Sequence, residues 1–310
     1  MKRIRDGFTL IELLFVIVIM GIVGGFALEA VRQYYEGIYR TQVYTQRVAE
    51  ADHILDLLSK YFENAVDLSI VNMDEDAADN ALVGNCEGDP EEEAENIAHD
   101  YTVVFVGVDT DSLRTIPQPG WSEIAKNTPP FDGNTITFDD ANLSLADTTI
   151  QALYPASNLE NSAIYNHQSI ADTCDDFYSS NGNAYYTING SLTGNTLPLL
   201  NNAGTTTNIE ARRKYLLRTG YAFRVLDTGE FVMFSNFRPW KGENYTTGNQ
   251  NRLGDNVASF YADFNNTNSY SERGSVWRLK VCMRGLDGNL TTNDLAQDAI
   301  CRERKVHVHY

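Results

Sequence analysis

The longest apolar stretch runs from Leu13 to Leu28, sixteen residues without a polar side chain. As a helix it covers about 24 Å at 1.5 Å per residue. Residues 8–11 extend it toward the roughly 30 Å of a bilayer's hydrocarbon. One ionisable side chain, Glu12, lies inside segment 8–28. A carboxylate near hydrocarbon costs several kcal/mol, so it needs a partner or a function. Past Leu28 the pattern stays helical and turns amphipathic. Val48, Ala51, Leu55, Leu58, Phe62 and Ala65 recur at three- and four-residue spacing, while Arg47, Glu50, Asp52, Asp56 and Lys60 fill the other positions. No proline occurs before Pro90. One helix over about 8–68 is predicted, roughly 90 Å long, softened at Gly24, Gly25 and Gly37. Its first half suits a membrane, and its second half a globular domain.

Beyond the helix the period changes from helical to alternating. Strands are predicted over 102–108, 135–138, 148–154, 184–188, 214–217, 257–264, 276–283 and 306–310. The clearest hairpin joins 221–226 to 231–234 through Asp227-Thr228-Gly229-Glu230, a polar turn containing glycine between β-rich runs. Asn-, Gly- and Thr-rich stretches at 181–194, 203–208, 244–251 and 265–271 read as loops. Segment 74–100 holds eleven acidic residues and no Lys or Arg, and reads as an acidic surface loop. No internal repeat is present. The predicted class is α+β, one long helix packed on an antiparallel sheet.

The residues before the apolar run fix its orientation. Lys2, Arg3 and Arg5 precede it, placing its N-terminus in the cytoplasm and the rest across the membrane. A secretory signal would place a small-residue cleavage site after the apolar core. Here the small residue, Gly7, stands in front of it. The string Gly7-Phe8-Thr9-Leu10-Ile11-Glu12 resembles the processing site of type IV prepilins and type II secretion pseudopilins. The resemblance covers about residues 1–35 and is specific. It implies a leader over 1–7, cleaved after Gly7 by a prepilin peptidase, and N-methylation of Phe8. It implies a membrane and filament-core helix over 8–29, an amphipathic continuation over 30–68 and a β-rich periplasmic globular domain over 69–310. Glu12 matches the carboxylate thought to pair with a neighbour's N-terminal amine. That pairing lowers the cost of two charges in lipid and sets the axial register of one subunit on the next. Many major pilins carry a proline about twenty residues into the mature chain. This chain has Glu29 near that position, which favours a minor pseudopilin or minor pilin.

Composition sharpens this reading. The formal net charge is −18, which argues against nucleic acid and anionic lipid surfaces as main partners. Loss of the leader removes three basic residues and one acid, leaving about −20 on the same count. Cys86, Cys174, Cys282 and Cys301 all lie on the translocated side, and an even count there fits two disulfides in an oxidising compartment. Of the three pairings, Cys282–Cys301 is favoured as a local staple worth about 3 kcal/mol. Cys86–Cys174 is what remains, and free buried thiols are the alternative. No CxxC pair, HExxH, G-x-S-x-G or P-loop is present, so no enzymatic activity is expected. His53, His99, His167, His307 and His309 are scattered; the last two alternate as metal ligands can, or as residues on the polar face of an edge strand. Asp287, Asn289, Thr291, Asn293 and Asp298 resemble part of a calcium loop, although an EF-hand wants Gly and Glu where Thr292 and Asp298 stand. Some pseudopilins order C-terminal loops with calcium; a plain Asn/Gly turn is the simpler reading, and no cofactor is expected otherwise. Arg238-Pro239-Trp240 reads either as an interface cluster or, in preference, as a Trp packed at the core's rim.

The reading is therefore a minor pseudopilin of a type II secretion system, at or near the pseudopilus tip. The alternative is a minor pilin or tip adhesin of a type IV pilus or competence machine. Expected partners are other pilins or pseudopilins through the N-terminal helix, the prepilin peptidase and the inner-membrane assembly platform. The expected location is the bacterial inner membrane, single-pass, with the globular domain periplasmic.

Overall fold

The computed structural model describes residues 9–74, 101–109, 135–137, 143–154, 157–166, 175–178, 184–188, 196–201, 214–264, 275–285 and 299–308. Helix α1 spans Leu10–Phe62. It ends at Phe62 rather than near Leu68 because sheet pairing takes over the backbone. The Val66 N–H donates to the Val106 carbonyl at 2.9 Å, and the Val108 N–H donates to the Asn64 carbonyl at 2.8 Å. The Asn64 side-chain amide donates to the Lys60 carbonyl, satisfying one of the helix's orphan acceptors.

The main sheet contains β1 (Val71–Asp74), β2 (Tyr101–Val108), β3 (Thr135–Thr137), β4 (Ala163–Asn166), β5 (Tyr185–Ile188), β6 (Thr196–Asn201), β7 (Lys214–Val225), β8 (Phe231–Phe237) and β9 (Asn249–Gly254). Its order is β1-β2-β7-β4-β5-β6-β3, with β8 added beside β7 and β9 beside β8. A second sheet holds β10 (Val257–Phe264), β11 (Ser275–Met283) and β12 (Ile300–Val308) in that order. All the strand pairs are antiparallel. The α+β architecture thus holds: a long helix followed by antiparallel sheets.

Strand β7 organises the molecule. One edge pairs with β2. The other edge is shared: Lys214–Leu217 pair with β4, while Gly220–Val225 pair with β8. Everything between β2 and β7, including helix α2 (Leu143–Leu153) and the short helix α3 (Asp175–Tyr178), is therefore an insertion that leaves from and returns to the same sheet. At the junction Arg218 is buried, its guanidinium 3.2 Å from the centre of the Tyr154 ring and 3.9 Å from the Asp109 carboxylate.

Alternation along β2 and β7 builds two cores. Val103, Phe105, Phe223 and Val225 face Ala51, Ile54, Leu55, Leu58 and Phe62 of α1, with Leu279, Val281 and Val306 of the second sheet in the same cluster. Val104, Val106, Leu217 and Ala222 face the opposite way, against Phe177, Tyr178, Tyr185 and Trp240. Two salt bridges fasten α1 to β12: Arg302–Asp52 at 3.0 Å and Arg304–Asp56. Of the positions expected to pack from their spacing, Ala51, Leu55, Leu58 and Phe62 are buried on α1 and Ala65 just beyond it, while Val48 is half-buried and Ile54, outside that set, packs as well.

Other expectations fail locally, among them the loop over 181–194, which holds β5. Segment 148–154 lies largely in helix α2 rather than in a strand. Leu143, Ala146 and Ile150 sit on one buried stripe, while the Thr148 and Thr149 hydroxyls donate to the Ser144 and Leu145 carbonyls. The Thr-Ile alternation hid that three-and-four spacing. Segment 244–251, read as a loop, contains the start of β9. The strand residues Asn249–Arg252 are exposed and polar, so backbone pairing to β8 makes this part of the strand without an apolar signature, and only Leu253 packs, partly buried, against the core.

The predicted hairpin is present, with Gly229 at φ 83° and its N–H donating to the Leu226 carbonyl at 2.7 Å. Gly229→Ala is expected to cost about 1–2 kcal/mol, the penalty of a side chain in the left-handed region. The added methyl would also meet the Arg284 guanidinium at 2.8 Å, but that side chain can swing aside. A lower urea midpoint with an unchanged slope checks this, because the hairpin is lost only on global unfolding.

Candidate assembly site on the N-terminal helix

The first described turn of α1 is built around Thr9 and Glu12. Thr9 is extended and precedes the helix, as an N-cap residue does. The Glu12 carboxylate lies 3.5 Å from the Thr9 N–H and 3.4 Å from its hydroxyl. These distances are at the limit of hydrogen bonding, so Glu12 is only loosely held within its own chain. It is solvent-facing and stands at the head of a helix whose positive end favours a carboxylate. The group is therefore placed at the end of the apolar rod and available to a cationic partner. Gly7 and Phe8, the expected cleavage and methylation positions, lie outside the described residues.

From Leu10 to Leu28 the helix touches nothing else in the described chain. Leu10 is 83% exposed, Phe26 74% and Leu28 74%. An apolar surface this continuous marks a membrane or an interaction partner. This is a helix long and apolar enough to cross a membrane. Farther along, Gly37, Thr41, Thr45 and Ala49 recur every four residues and line a shallow groove with Gln42 and Gln46. The Thr41 and Thr45 hydroxyls donate back to the Gly37 and Thr41 carbonyls, so this face presents a low, mostly apolar profile. Small residues at that spacing allow another helix to approach closely.

The remaining candidates are distributed differently. Cys282 on β11 and Cys301 on β12 are register partners and disulfide-bonded, a cross-strand staple at the open edge of the second sheet. Cys86 and Cys174 lie outside the described residues. So do Asp287, Asn289, Thr291, Asn293 and Asp298, and with them the calcium-like loop. His307 is exposed on β12, and His99, His167 and His309 lie outside the described residues. Among the described residues no group of three or more His, Cys, Asp or Glu side chains could hold a metal. Trp240 is buried in the second core, its ring N–H donating to the Asn161 carbonyl at 2.9 Å, so it packs as core. Nothing in the sequence marked Asn161 as its partner; their separation is bridged only by the fold.

Buried phenols give the globular part its pH limit. Tyr178 donates to the Ser69 carbonyl at 2.6 Å, and burial raises its pKa well above 10. Burial also raises that of Tyr221. Below about pH 10 both the folded and unfolded chain keep these protons. Above it the unfolded chain releases them first, so stability falls as pH rises toward the folded values. Unfolding midpoints are expected to be flat in mildly alkaline buffer and to drop beyond about pH 10. Tyr178→Phe should soften that drop, and urea titrations across this range measure it.

Residues 2–28 match the family model of the prokaryotic N-terminal methylation motif. No curated protein and no solved structure matches the chain.

Proposed function

The chain carries the prepilin-type cleavage and methylation signature of type IV pilin-like proteins, and from that premise we propose that it is a minor pseudopilin of a type II secretion system, at or near the pseudopilus tip. In this reading a prepilin peptidase cuts after Gly7, Phe8 is N-methylated, and the apolar half of α1 anchors the subunit in the inner membrane until it joins the filament. Glu12 then pairs with the amine of a neighbouring subunit. The globular part stands in the periplasm, where an oxidising environment keeps Cys282 bonded to Cys301. The role is structural, with no turnover of a substrate.

The observation that carries the proposal is the division of α1 into two halves. Residues 10–28 are apolar apart from Glu12 and touch nothing else in the described chain, while Ala51–Phe62 are locked onto both sheets. That is the design of a subunit that polymerises through one half and displays the other. The large insertion between β2 and β7 supports a place at the filament end, because such bulk would burden every layer of a polymer. The same insertion favours the second reading, a minor pilin or tip adhesin of a type IV pilus or competence machine.

Quantitative proteomics of sheared culture supernatant, with and without this chain, separates the two. Loss of a set of exported proteins with pilins unchanged supports secretion. Loss of pilins with exported proteins unchanged supports the pilus reading. If neither changes, the assembly role is wrong, and the insertion's binding partner becomes the question.

A further inference from the structure

The uncharged part of α1 does not by itself fill the membrane that the whole helix is long enough to cross. Residues 13–28 span about 24 Å against the roughly 30 Å of hydrocarbon. If Glu12 marks the cytoplasmic edge, 30 Å takes about twenty residues, which places Arg32 at the outer edge. Glu29 then falls just inside the boundary. It arrives already partnered: Arg32 lies 3.4 Å from Glu29 and 3.6 Å from Glu36, and the Gln33 amide donates to Glu29 at 3.1 Å. Immediately beyond stand Tyr34, Tyr35 and Tyr39, which are 67%, 66% and 62% exposed.

We propose that Tyr34, Tyr35 and Tyr39, with Arg32, form a collar that seats the unassembled subunit in the lipid headgroup layer on the outer side of the bilayer. This rests on the membrane-anchored reading above and adds to it the depth at which the helix sits. Three physical arguments carry it. Tyrosine has an apolar body and a polar tip, so it is enriched where hydrocarbon meets water. Helical side chains lean toward the N-terminus, which here draws the rings back toward the membrane. Tyr34 and Tyr35 lie about 3–5 Å beyond Arg32, within a headgroup layer of about 5–8 Å, whereas the Tyr39 backbone, near 10 Å, lies outside it and only the backward lean of its ring brings it to the layer's edge.

Depth rather than angle points to lipid: at about 100° per residue Tyr35 and Tyr39 lie roughly 100° and 140° around the helix from Tyr34, so the three rings make a partial collar on one side of the rod, but they follow directly on the length of helix that fits the hydrocarbon. The collar also compensates the short apolar run, since anchors at the headgroups are one way a mismatched helix is accommodated. The Glu29–Arg32–Glu36 group keeps the local charge small, so the acidity of the rest of the chain need not repel the headgroups here.

The test uses the full chain in vesicles of phosphatidylethanolamine and phosphatidylglycerol, doped with lipids brominated either near the glycerol or near the chain ends. Tyr35→Trp, Val23→Trp and Tyr44→Trp are compared, with the fluorescence of the parent chain subtracted. Tyr35→Trp is expected to lose more intensity to the shallow bromines than to the deep ones. Val23→Trp should show the reverse, and Tyr44→Trp should respond to neither. If Tyr35→Trp resembles Tyr44→Trp while Val23→Trp is quenched, the helix spans but the collar lies in water, and the proposal fails. If Val23→Trp escapes quenching altogether, the membrane-anchored reading itself falls.

Discussion

Phe223→Ala is expected to lower the unfolding free energy of the globular part by about 3–5 kcal/mol. Phe223 is fully buried at the meeting point of α1 and both sheets. Its ring lies 5.7 Å from Phe105, 5.8 Å from Tyr61, 6.2 Å from Phe62 and Phe231, and 6.5 Å from Phe260. Removing it opens a cavity whose walls belong to five elements. A hole bordered by a helix and four paired strands collapses poorly, because no wall can move without breaking its own ladder. The loss is a large share of the about 5–15 kcal/mol that holds a domain folded. Leu145→Ala on the exposed face of α2 serves as the comparison and should change stability by no more than about 0.5 kcal/mol. Equilibrium unfolding of the two variants in urea gives both numbers. A Phe223→Ala cost below about 1 kcal/mol would mean that α1 is not keyed into the sheets as described.

Glu12→Ala should leave cleavage after Gly7 intact yet reduce incorporation beside neighbours by more than about tenfold, equivalent to about 1.4 kcal/mol. A carboxylate and an amine that share a lipid-facing interface stabilise each other, and removing one leaves the other charged, desolvated and alone. Helix capping offers a competing explanation, since Glu12 reaches back to Thr9 at the first turn. Glu12→Gln distinguishes the two. Glutamine serves in a capping box as glutamate does, so a purely capping role predicts normal incorporation of Glu12→Gln. Charge pairing predicts that it fails nearly as badly as Glu12→Ala. Co-purification of each variant with sheared filaments, normalised to the processed chain in membranes, reads the difference. Normal incorporation of both variants would remove Glu12 from the assembly mechanism.

Much of this was legible in the chain itself, because the signals were periodic and local. Sixteen consecutive apolar residues and a lone Glu12 mark the part of α1 that is long and apolar enough to cross a membrane. The spacing of Ala51, Leu55, Leu58 and Phe62 selects the face that packs, and they are buried. Strand β2 reads clearly because both of its faces are buried, giving an unbroken apolar run. What escaped depended on partners distant in sequence. The end of α1 at Phe62 is decided by hydrogen bonds to Val106 and Val108, which no local pattern encodes. Strand β9 has an exposed polar sequence and exists because β8 offers it an edge. Helix α2 was disguised by threonines whose hydroxyls satisfy their own helix's carbonyls. The insertion into the main sheet is a fact of topology: it follows from β7 sharing one edge between β4 and β8, and neither composition nor spacing announces that. Of the candidate site, the Glu12 signal was plain from one unexplained charge in an apolar run, whereas Trp240 could be placed in the core only once Asn161 was seen beside it.

The central claim is that the chain is made as a precursor and matured at Gly7, and the mass of its N-terminal peptide tests it most directly. The chain would be isolated from membranes of cells that express it, digested and analysed for every N-terminal form. The account predicts a peptide beginning at Phe8 and heavier than the unmodified sequence by one methyl group, disappearing in Gly7→Val. A peptide beginning at Met1, or one produced by cleavage beyond the apolar run, would contradict it and return the helix to an ordinary membrane anchor or secretion signal.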